Sequence, residues 1–216
     1  MLNNEAPVGP PSVRIVRRSE RTTVPWANDQ GSTSEIAVRR SAPDGRVRWR
    51  LSVASLSGAS DFSPLPGLDR VFTVVSGDGV VLDFDGEAVS VPPLSPLRFD
   101  GGRPPSCVVV GEKAEALNVM ADGSSFSTQV AVGSYETGGV VELAELRGTV
   151  VTAVLVVAGS LVAAGERIGS GDVALFDAAP DAVVPAAGTC AVWVRIDGAG
   201  TGHACPAKGF RWISSC

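Results

Sequence analysis

The sequence is poor in the residue types on which metal centres and many hydrolytic sites depend. Its 216 residues include one histidine, His203, which lies in the glycine-containing segment GAGTGHACPAKGF near the C-terminus. Metal-dependent barrel proteins usually hold their ion with several histidines and a carboxylate. A Ser-His-Asp hydrolase would need this single histidine as its base, and no GxSxG motif accompanies it. We therefore expect no bound metal, no cofactor and no histidine-based triad, and we interpret His203 as solvent-exposed.

Cysteine is also scarce, and its spacing excludes the common zinc motifs. The four cysteines form no CxxC pair. Cys107 and Cys190 lie in valine-rich segments, so we expect both to be buried as small apolar residues. Cys205 and Cys216 lie in the tail, where we expect no structural disulfide.

The chain has no long apolar run and no surplus of basic residues. Its most apolar run, residues 150–157, is far shorter than the ~20 residues that span a bilayer, and residues 1–12 lack the apolar core of a signal peptide. The formal net charge of -5 opposes nucleic-acid binding. We therefore expect a cytoplasmic protein with no membrane or nucleic-acid partner. One basic run is interpreted as a solvated face; it comprises Arg14, Arg17, Arg18 and Arg21.

Short apolar segments separated by turn residues dominate the chain, and they predict an all-β protein. Residues 48–56 alternate, with Trp49, Leu51 and Val53 on one face. Several short strands with regular turn signals indicate a sandwich or a closed barrel. Further strands are predicted at 71–75, 80–84, 88–91, 107–110, 117–120, 129–132, 150–157, 160–163, 174–176, 183–184 and 190–196. Short helices are predicted only at 112–117 and 141–147.

A faint internal repeat suggests two units of one architecture. TVVSGDGVVLDFDG, from Thr73, and LVVAGSLVAAGERIGSGDVALFD, from Leu155, each contain a valine pair, a glycine, a second short strand and an acidic-glycine turn. We divide the chain accordingly into a flexible segment, a first barrel with most of the polar motifs, a reduced second barrel and a tail. The bounds are 1–12, 13–135, 136–198 and 199–216.

Polar and aromatic residues that could form a binding site are concentrated in the first half. The segment 25–37 combines an aromatic residue, an amide, hydroxyls and a carboxylate ahead of a predicted strand, which is typical of a binding loop and also of a capped turn. Arg50 and Ser52 share the face opposite Trp49. That face is solvent in an open sheet and the lumen in a small barrel, where an arginine would need a carboxylate partner or an anionic ligand.

Four motifs occur in an order and spacing that resemble the HutD/Ves family: PWANDQGSTSEIA, WRLSVASL, FSPLPGLDR and LNVM. The resemblance is strong over residues 24–120 and weaker downstream. It implies a cupin-type double barrel (bicupin) in a single chain, an association with bacterial histidine utilisation, and a ligand-binding or regulatory role near urocanate or N-formylglutamate, both of which are carboxylates.

The resemblance also assigns pocket positions to this sequence. The implied ligand-binding residues are Trp26, Asn28, Thr33, Glu35, Arg50, Ser52, Phe62, Ser63, Arg70, Asn118 and Met120. The family usually reads Pro-Trp-Lys-Asn-Gly-Gly-Gly, whereas this chain has Ala27 before Asn28 and Asp29 and Gln30 after it. These changes add side chains and negative charge where a ligand would approach the backbone.

Three functions are compatible with these residues. The favoured one is a metal-free binding protein in which Arg50 or Arg70 pairs with a small anionic metabolite. The second is a metal-independent enzyme on a small carboxylate, with Glu35 or Asp69 as general base. The third is a structural bicupin that could dimerise through a sheet face. Because no evident acid is paired with an evident base, the interpretation favours binding over catalysis.

Overall fold

The computed structural model describes residues 13–26, 31–141, 149–176, 182–198 and 212–213, and these residues form strands joined by turns. A short 3-10 turn at Arg18–Glu20 is present, and no α-helix occurs within these ranges. The strands are β1 (Val13–Val16), β2 (Thr23–Pro25), β3 (Gly31–Arg40), β4 (Val47–Asp61), β5 (Leu68–Ser76), β6 (Val80–Phe84), β7 (Glu87–Val91), β8 (Leu97–Asp100), β9 (Ser106–Asp122), β10 (Phe126–Tyr135), β11 (Thr149–Ala158), β12 (Ser160–Ala163), β13 (Glu166–Gly169), β14 (Val173–Phe176), β15 (Val183–Pro185), β16 (Thr189–Gly198) and β17 (Trp212–Ile213).

The first sheet has eight strands and is built around the long strands β4 and β9. Its order is β2-β3-β4-β9-β5-β8, and the β6–β7 hairpin joins it through β9. Strand β9 pairs with β4 along one edge. Along its other edge, β9 pairs with β6 near the start of β9 and with β5 near its end. Gly111 lies between these two pairings with a φ of +83°, which a glycine adopts without strain. Strand β9 therefore pairs with two strands along the same edge, which lengthens the sheet.

The second sheet has six strands in the order β1-β14-β11-β16-β10-β17, and a small third sheet has the order β13-β12-β15. β1 and β10 belong to the part of the chain that we assigned to the first barrel, yet they pair with β14 and β16. The strand pairing therefore crosses the boundary that we predicted at residue 135.

The basic run near the N-terminus joins the two halves and is not simply a solvated face. Arg17 Nη1 donates to Asp172 Oδ2 at 2.9 Å, and the backbone N–H of Arg18 donates to Asp172 Oδ1 at 3.0 Å. The Arg18 side chain bonds Glu115 of β9 at 2.8 Å, and Arg21 donates to the carbonyl of Gly171. Asp172 therefore holds the segment after β1 to the turn that precedes β14.

The core has three apolar clusters, and they explain the layered arrangement. Residues of both large sheets, including Leu51, Val119, Leu155 and Ile196, form the cluster between the sheets. A second cluster lies on the other face of the first sheet, and a third lies on the other face of the second sheet. Since complete burial of one such side chain contributes about 1.5–3 kcal/mol, the central cluster is a major source of stability.

The all-β prediction is confirmed, whereas closed barrels are not observed. In the part of the chain that the structure describes, neither large sheet closes on itself, because the ladder of the first sheet ends at β2 and β8. The helix predicted at 112–117 is wrong, since these residues lie within β9 and pair with β4 and β5. Most of the second predicted helix, 141–147, lies outside the described residues.

Candidate functional site

The candidate site is built on three adjacent strands whose pairing brings distant residues into rows. Met120 of β9 lies directly between Arg50 of β4 and Arg70 of β5. Two residues along, Asn118 lies opposite Ser52. Because side chains two residues apart share a face, all five residues belong to one face of the sheet.

That face of the sheet lines a cavity. The sequence left open whether the face carrying Arg50 and Ser52 is open to solvent or enclosed, and the structure places it at this cavity. The cavity has a volume of about 870 Å³, and its lining residues are Thr22, Val24, Trp26, Thr33, Glu35, Arg50, Asp61, Phe62, Ser63, Leu65, Arg70 and Met120. The opposite face of β4 carries Trp49, Leu51 and Val53 into the core between the sheets. The alternation along β4 thus separates the site from the core.

Most of the residues predicted to bind a ligand line this cavity, but two of those that the structure describes do not. Ser52 and Asn118 are both 1% exposed and lie beneath the lining residues. Asn28 lies outside the described residues, as do Ala27, Asp29, Gln30 and His203. Their roles in ligand binding stay predictions.

Four lining residues were not among those predicted: Thr22, Val24, Asp61 and Leu65. Thr22 and Val24 precede Trp26 at intervals of two, so the period of an extended strand places all three on one side. Asp61 and Leu65 flank or lie within the FSPLPGLDR motif. Sequence spacing could have identified them, although spacing does not show which side of the strand faces a cavity.

Arg70 is the central cation of the site and is held rigidly. Its Nε and Nη2 donate to Asn118 Oδ1 at 2.9 and 2.6 Å. Its guanidinium lies over the ring of Phe62, 4.3 Å from the centroid, and is 5.5 Å from the centroid of Phe99. Burial, reinforced by the charge of Arg50, lowers the pKa of Arg70 to about 9, so the side chain is still a cation at neutral pH.

Arg50 is a second, less buried cation. Its Nη2 approaches Met120 Sδ at 3.5 Å, and its Nε is buried without a hydrogen-bond partner among the described residues. Burial lowers the pKa of Arg50, while Glu35, an exposed lining residue, acts in the opposite direction. Within the described residues, no carboxylate oxygen lies within 4.0 Å of the Arg50 or Arg70 guanidinium.

Aromatic side chains form one wall of the cavity. Trp26 Nε1 donates to Thr33 Oγ1 at 2.8 Å, and the Trp26 ring meets Phe62 edge-on with centroids 6.5 Å apart. Phe62 in turn stacks on Arg70. The wall therefore links Trp26, directly after β2, to the buried cation.

In the second half of the chain, a buried arginine is paired with a carboxylate. Arg195 and Asp197 of β16 are 6% and 4% exposed, and Arg195 Nε donates to Asp197 Oδ1 at 2.8 Å. Removing a charge from water is costly unless it is paired. Arg195 satisfies that requirement with Asp197, whereas the hydrogen-bond acceptor that Arg70 has among the described residues is a neutral amide.

Side chains that could bind a metal ion are not clustered among the described residues. No group of three or more His, Cys, Asp or Glu side chains is clustered among them. Cys107 is 1% exposed, as predicted, and burial raises its thiol pKa to about 11, although the Arg70 charge acts to lower it. Cys190 is only partly buried. Asp69, which we considered as a general base, does not line the cavity.

Membrane-spanning helices are absent from the described part of the chain, where no segment forms a helix of sufficient length and apolarity to cross a bilayer.

Known proteins resemble this chain in sequence and in fold. An uncharacterized 21.2 kDa protein in the hutC 3′ region of Pseudomonas putida is 31% identical over 109 residues, which are 50% of this chain and 57% of that protein. Protein Ves of Citrobacter koseri is 40% identical over 58 residues, which are 27% of this chain and 30% of that protein. The chain thus spans about half, or less, of the length of these curated relatives.

A solved structure covers more of the chain. HutD from Pseudomonas fluorescens SBW25 superposes with a TM-score of 0.73 at 25% identity, covering 88% of this chain and 100% of that one. The fold is therefore all-β and cupin-like. The profile of the HutD family matches residues 18–194. By this match, which extends over most of the sequence, the chain belongs to the HutD family.

Proposed function

We propose that this protein binds a small carboxylate metabolite in the cavity of the first sheet, with Arg70 and Arg50 as the anion-binding groups. The observation that carries the proposal is the environment of Arg70: a buried, rigidly oriented guanidinium without a carboxylate partner among the described residues. A buried cation of this kind is stabilised by an incoming anion, and a guanidinium suits the planar, bidentate geometry of a carboxylate.

The remaining lining residues fit the rest of a small organic acid. Trp26 and Phe62 provide apolar surface, and Thr33 and Ser63 provide hydroxyls. Glu35 lies close enough to Arg50 to affect its pKa and could accept a bond from a ligand nitrogen. A cavity of about 870 Å³ is within the usual size of small-molecule sites, about 300–1,000 Å³.

The family points to the chemistry of histidine breakdown. The Pseudomonas putida relative is named for its place in the hutC 3′ region. Urocanate and N-formylglutamate, which the family resemblance implies, both carry the carboxylate that the two arginines would bind. We propose a regulatory role in which occupancy of the cavity reports the level of such a metabolite, without the participation of a metal ion.

We also propose that the two large sheets correspond to the two units of a bicupin. Each sheet has a separate apolar cluster on the face away from the shared core. Under this proposal only the first unit keeps a ligand site, because the second neutralises its buried arginine with Asp197.

The test is a thermal-shift and calorimetric titration of the purified protein with urocanate and N-formylglutamate, each compared with the derivative in which every carboxylate is converted to a primary amide. A ligand at about 100 times its dissociation constant stabilises by about 2.7 kcal/mol. For a chain of this size each kcal/mol raises Tm by about 2–4 °C. We expect a shift with a carboxylate and none with its amide.

Three arginine variants complete the test. Arg70→Ala and Arg50→Ala should each weaken binding about 10-fold or more, since a hydrogen bond to a charged group contributes about 1.5–3 kcal/mol. Arg103→Ala is the matched control, because Arg103 pairs with Asp85 on the surface and does not line the cavity. Full affinity in folded Arg70→Ala and Arg50→Ala proteins would refute the proposal.

A further inference from the structure

The residue beneath Arg70 is a neutral amide placed where a carboxylate would fit. Asn118 lies on β9, diagonally across from Arg70 on β5, and its Oδ1 accepts both the Nε and the Nη2 bond. An aspartate has nearly the same shape and would accept the same two bonds. With aspartate, however, the guanidinium would already be neutralised inside the chain.

The orientation of the amide is fixed by its other end. Asn118 Nδ2 donates to the carbonyl of Ala116 at 3.3 Å. A flipped amide would direct its NH₂ group at the guanidinium and its oxygen at the carbonyl, so neither contact would survive. Asn118 is 1% exposed and lies behind the lining residues, which means that it acts on a ligand through Arg70.

The chain itself shows the alternative arrangement. Arg195 is paired with Asp197 at 2.8 Å, both are buried, and neither lines the described cavity. The two halves therefore hold buried arginines by the same kind of contact but with partners of different charge. The difference in charge, rather than in shape, separates the cavity arginine from the structural one.

We infer that Asn118 is a positioning residue that sets anion specificity: it fixes the guanidinium of Arg70 while leaving its positive charge available to a ligand. This inference rests on the proposed function of the cavity. It predicts that a change of one charge at constant shape removes anion binding without damaging the fold.

The decisive variant is Asn118→Asp. Because the new carboxylate pairs with a buried cation, we expect its Tm in ligand-free buffer at neutral pH to rise by about 2–4 °C. We expect its affinity for the carboxylate that binds the wild type to fall at least 10-fold. A residue with a merely structural role would lower stability and affinity together, so opposite signs in the two measurements identify the positioning role.

The pH dependence gives a second readout. Arg70 would depress the pKa of the new carboxyl group, so its stabilising effect is present above the unfolded-state pKa of about 3.9 and is lost as pH falls through the folded value. The Tm advantage over wild type should therefore disappear in acid. Asn118→Leu, which supplies no acceptor, is the control, and it should lower both Tm and affinity.

The outcomes separate this inference from the proposed function. If the wild type binds a carboxylate and Asn118→Asp binds it equally well, the inference is wrong and the proposed function stands. A lower Tm for Asn118→Asp at neutral pH would also overturn the inference. If neither urocanate nor N-formylglutamate binds the wild type, the proposed function fails, and the inference fails with it.

Discussion

The indole N–H of Trp26 donates a hydrogen bond to the hydroxyl of Thr33 at 2.8 Å. Both residues line the cavity, and the bond connects the end of the β2 segment to β3. A tryptophan has a large apolar surface and one polar atom, so a single hydrogen bond can fix its orientation. The Thr33 hydroxyl therefore helps to fix the position of this cavity wall.

Thr33→Val should disorder that wall while preserving the shape of the side chain. We expect a loss of about 1 kcal/mol of stability, because the indole N–H loses its partner, together with weaker binding of the carboxylate ligand. Thermal melts and titration calorimetry measure the two effects. Thr23→Val is the matched control: it removes the bond between Thr23 and Ser34, which is 2.9 Å long and away from the cavity. Equal affinity losses in both variants would contradict the prediction.

Gly31→Ala should displace the Trp26 ring, which belongs to the same cavity wall. A Cβ at Gly31 would lie 2.8 Å from the Trp26 ring and 2.8 Å from the Ser55 carbonyl oxygen, closer than such atoms approach. Overpacking of this kind costs about 1–3 kcal/mol, so we expect a lower Tm and a loss of ligand affinity. Gly169→Ala is the control, since a Cβ there meets only Asp172 Oδ2 at 3.7 Å. Unchanged affinity in Gly31→Ala would show that the wall tolerates displacement.

Asp172 should make the junction of the two halves sensitive to acid. Burial acts to raise the pKa of Asp172, but bonds from the Arg18 and Gly169 backbones and from Arg17 outweigh it and hold the pKa below its usual value. A lowered folded-state pKa gives stability that is present above the unfolded value and lost as pH falls through the folded one. Asp172→Ala should therefore melt below wild type at neutral pH, with the difference vanishing in acid.

The comparison for Asp172 is Arg103→Ala, which removes an ion pair with Asp85 whose side chains are 70% and 86% exposed. Exposed pairs contribute little, so this variant should melt close to wild type at every pH. Tm measured across an acid-to-neutral series tests both variants. A constant difference between Asp172→Ala and wild type over the whole series would contradict the assignment.

Cys107 should resist alkylation in the folded protein. The nucleophile is the thiolate, and burial raises the pKa of this thiol to about 11. With iodoacetamide at mildly alkaline pH, we expect the Cys107 peptide to stay unmodified in native buffer and to react fully in urea. Mass spectrometry of the separated peptides isolates this thiol from the other three. Equal rates in both buffers would show that Cys107 is accessible.

The strands were largely predictable because their signals are local. The alternation of residues 48–56 identified β4, and the Gly-Asp-Gly turn located the connection between β5 and β6, which both pair with β9. The error at 112–117 has a specific cause. The segment EKAEAL contains good helix formers, but its partners on β4 and β5 impose an extended conformation that outweighs the intrinsic preference.

The candidate site was predictable as a list of residues but not as an arrangement. Motif order identified Arg50, Arg70, Asn118 and Met120, yet it treated all four as ligand contacts. Only the pairing of β4, β9 and β5 shows that Asn118 lies behind Arg70. Likewise, the basic run near the N-terminus resembled a solvated face until its partner, Asp172, was located about 150 residues downstream.

The all-β class, the position of most strands and the family could be predicted from the sequence, because strand periodicity, turn residues and motif order are properties of neighbouring residues. The tertiary structure shows which face of β4 lines a cavity, which strands of the first half join the second sheet, and which buried arginine pairs with an aspartate. The first two features depend on contacts between residues far apart in the chain, whereas Arg195 and Asp197 are only two residues apart and are removed from water when the sheet packs. No local sequence pattern predicts these features. Asp197 neutralises a buried Arg195, and Asn118 orients Arg70, only when the sheets form.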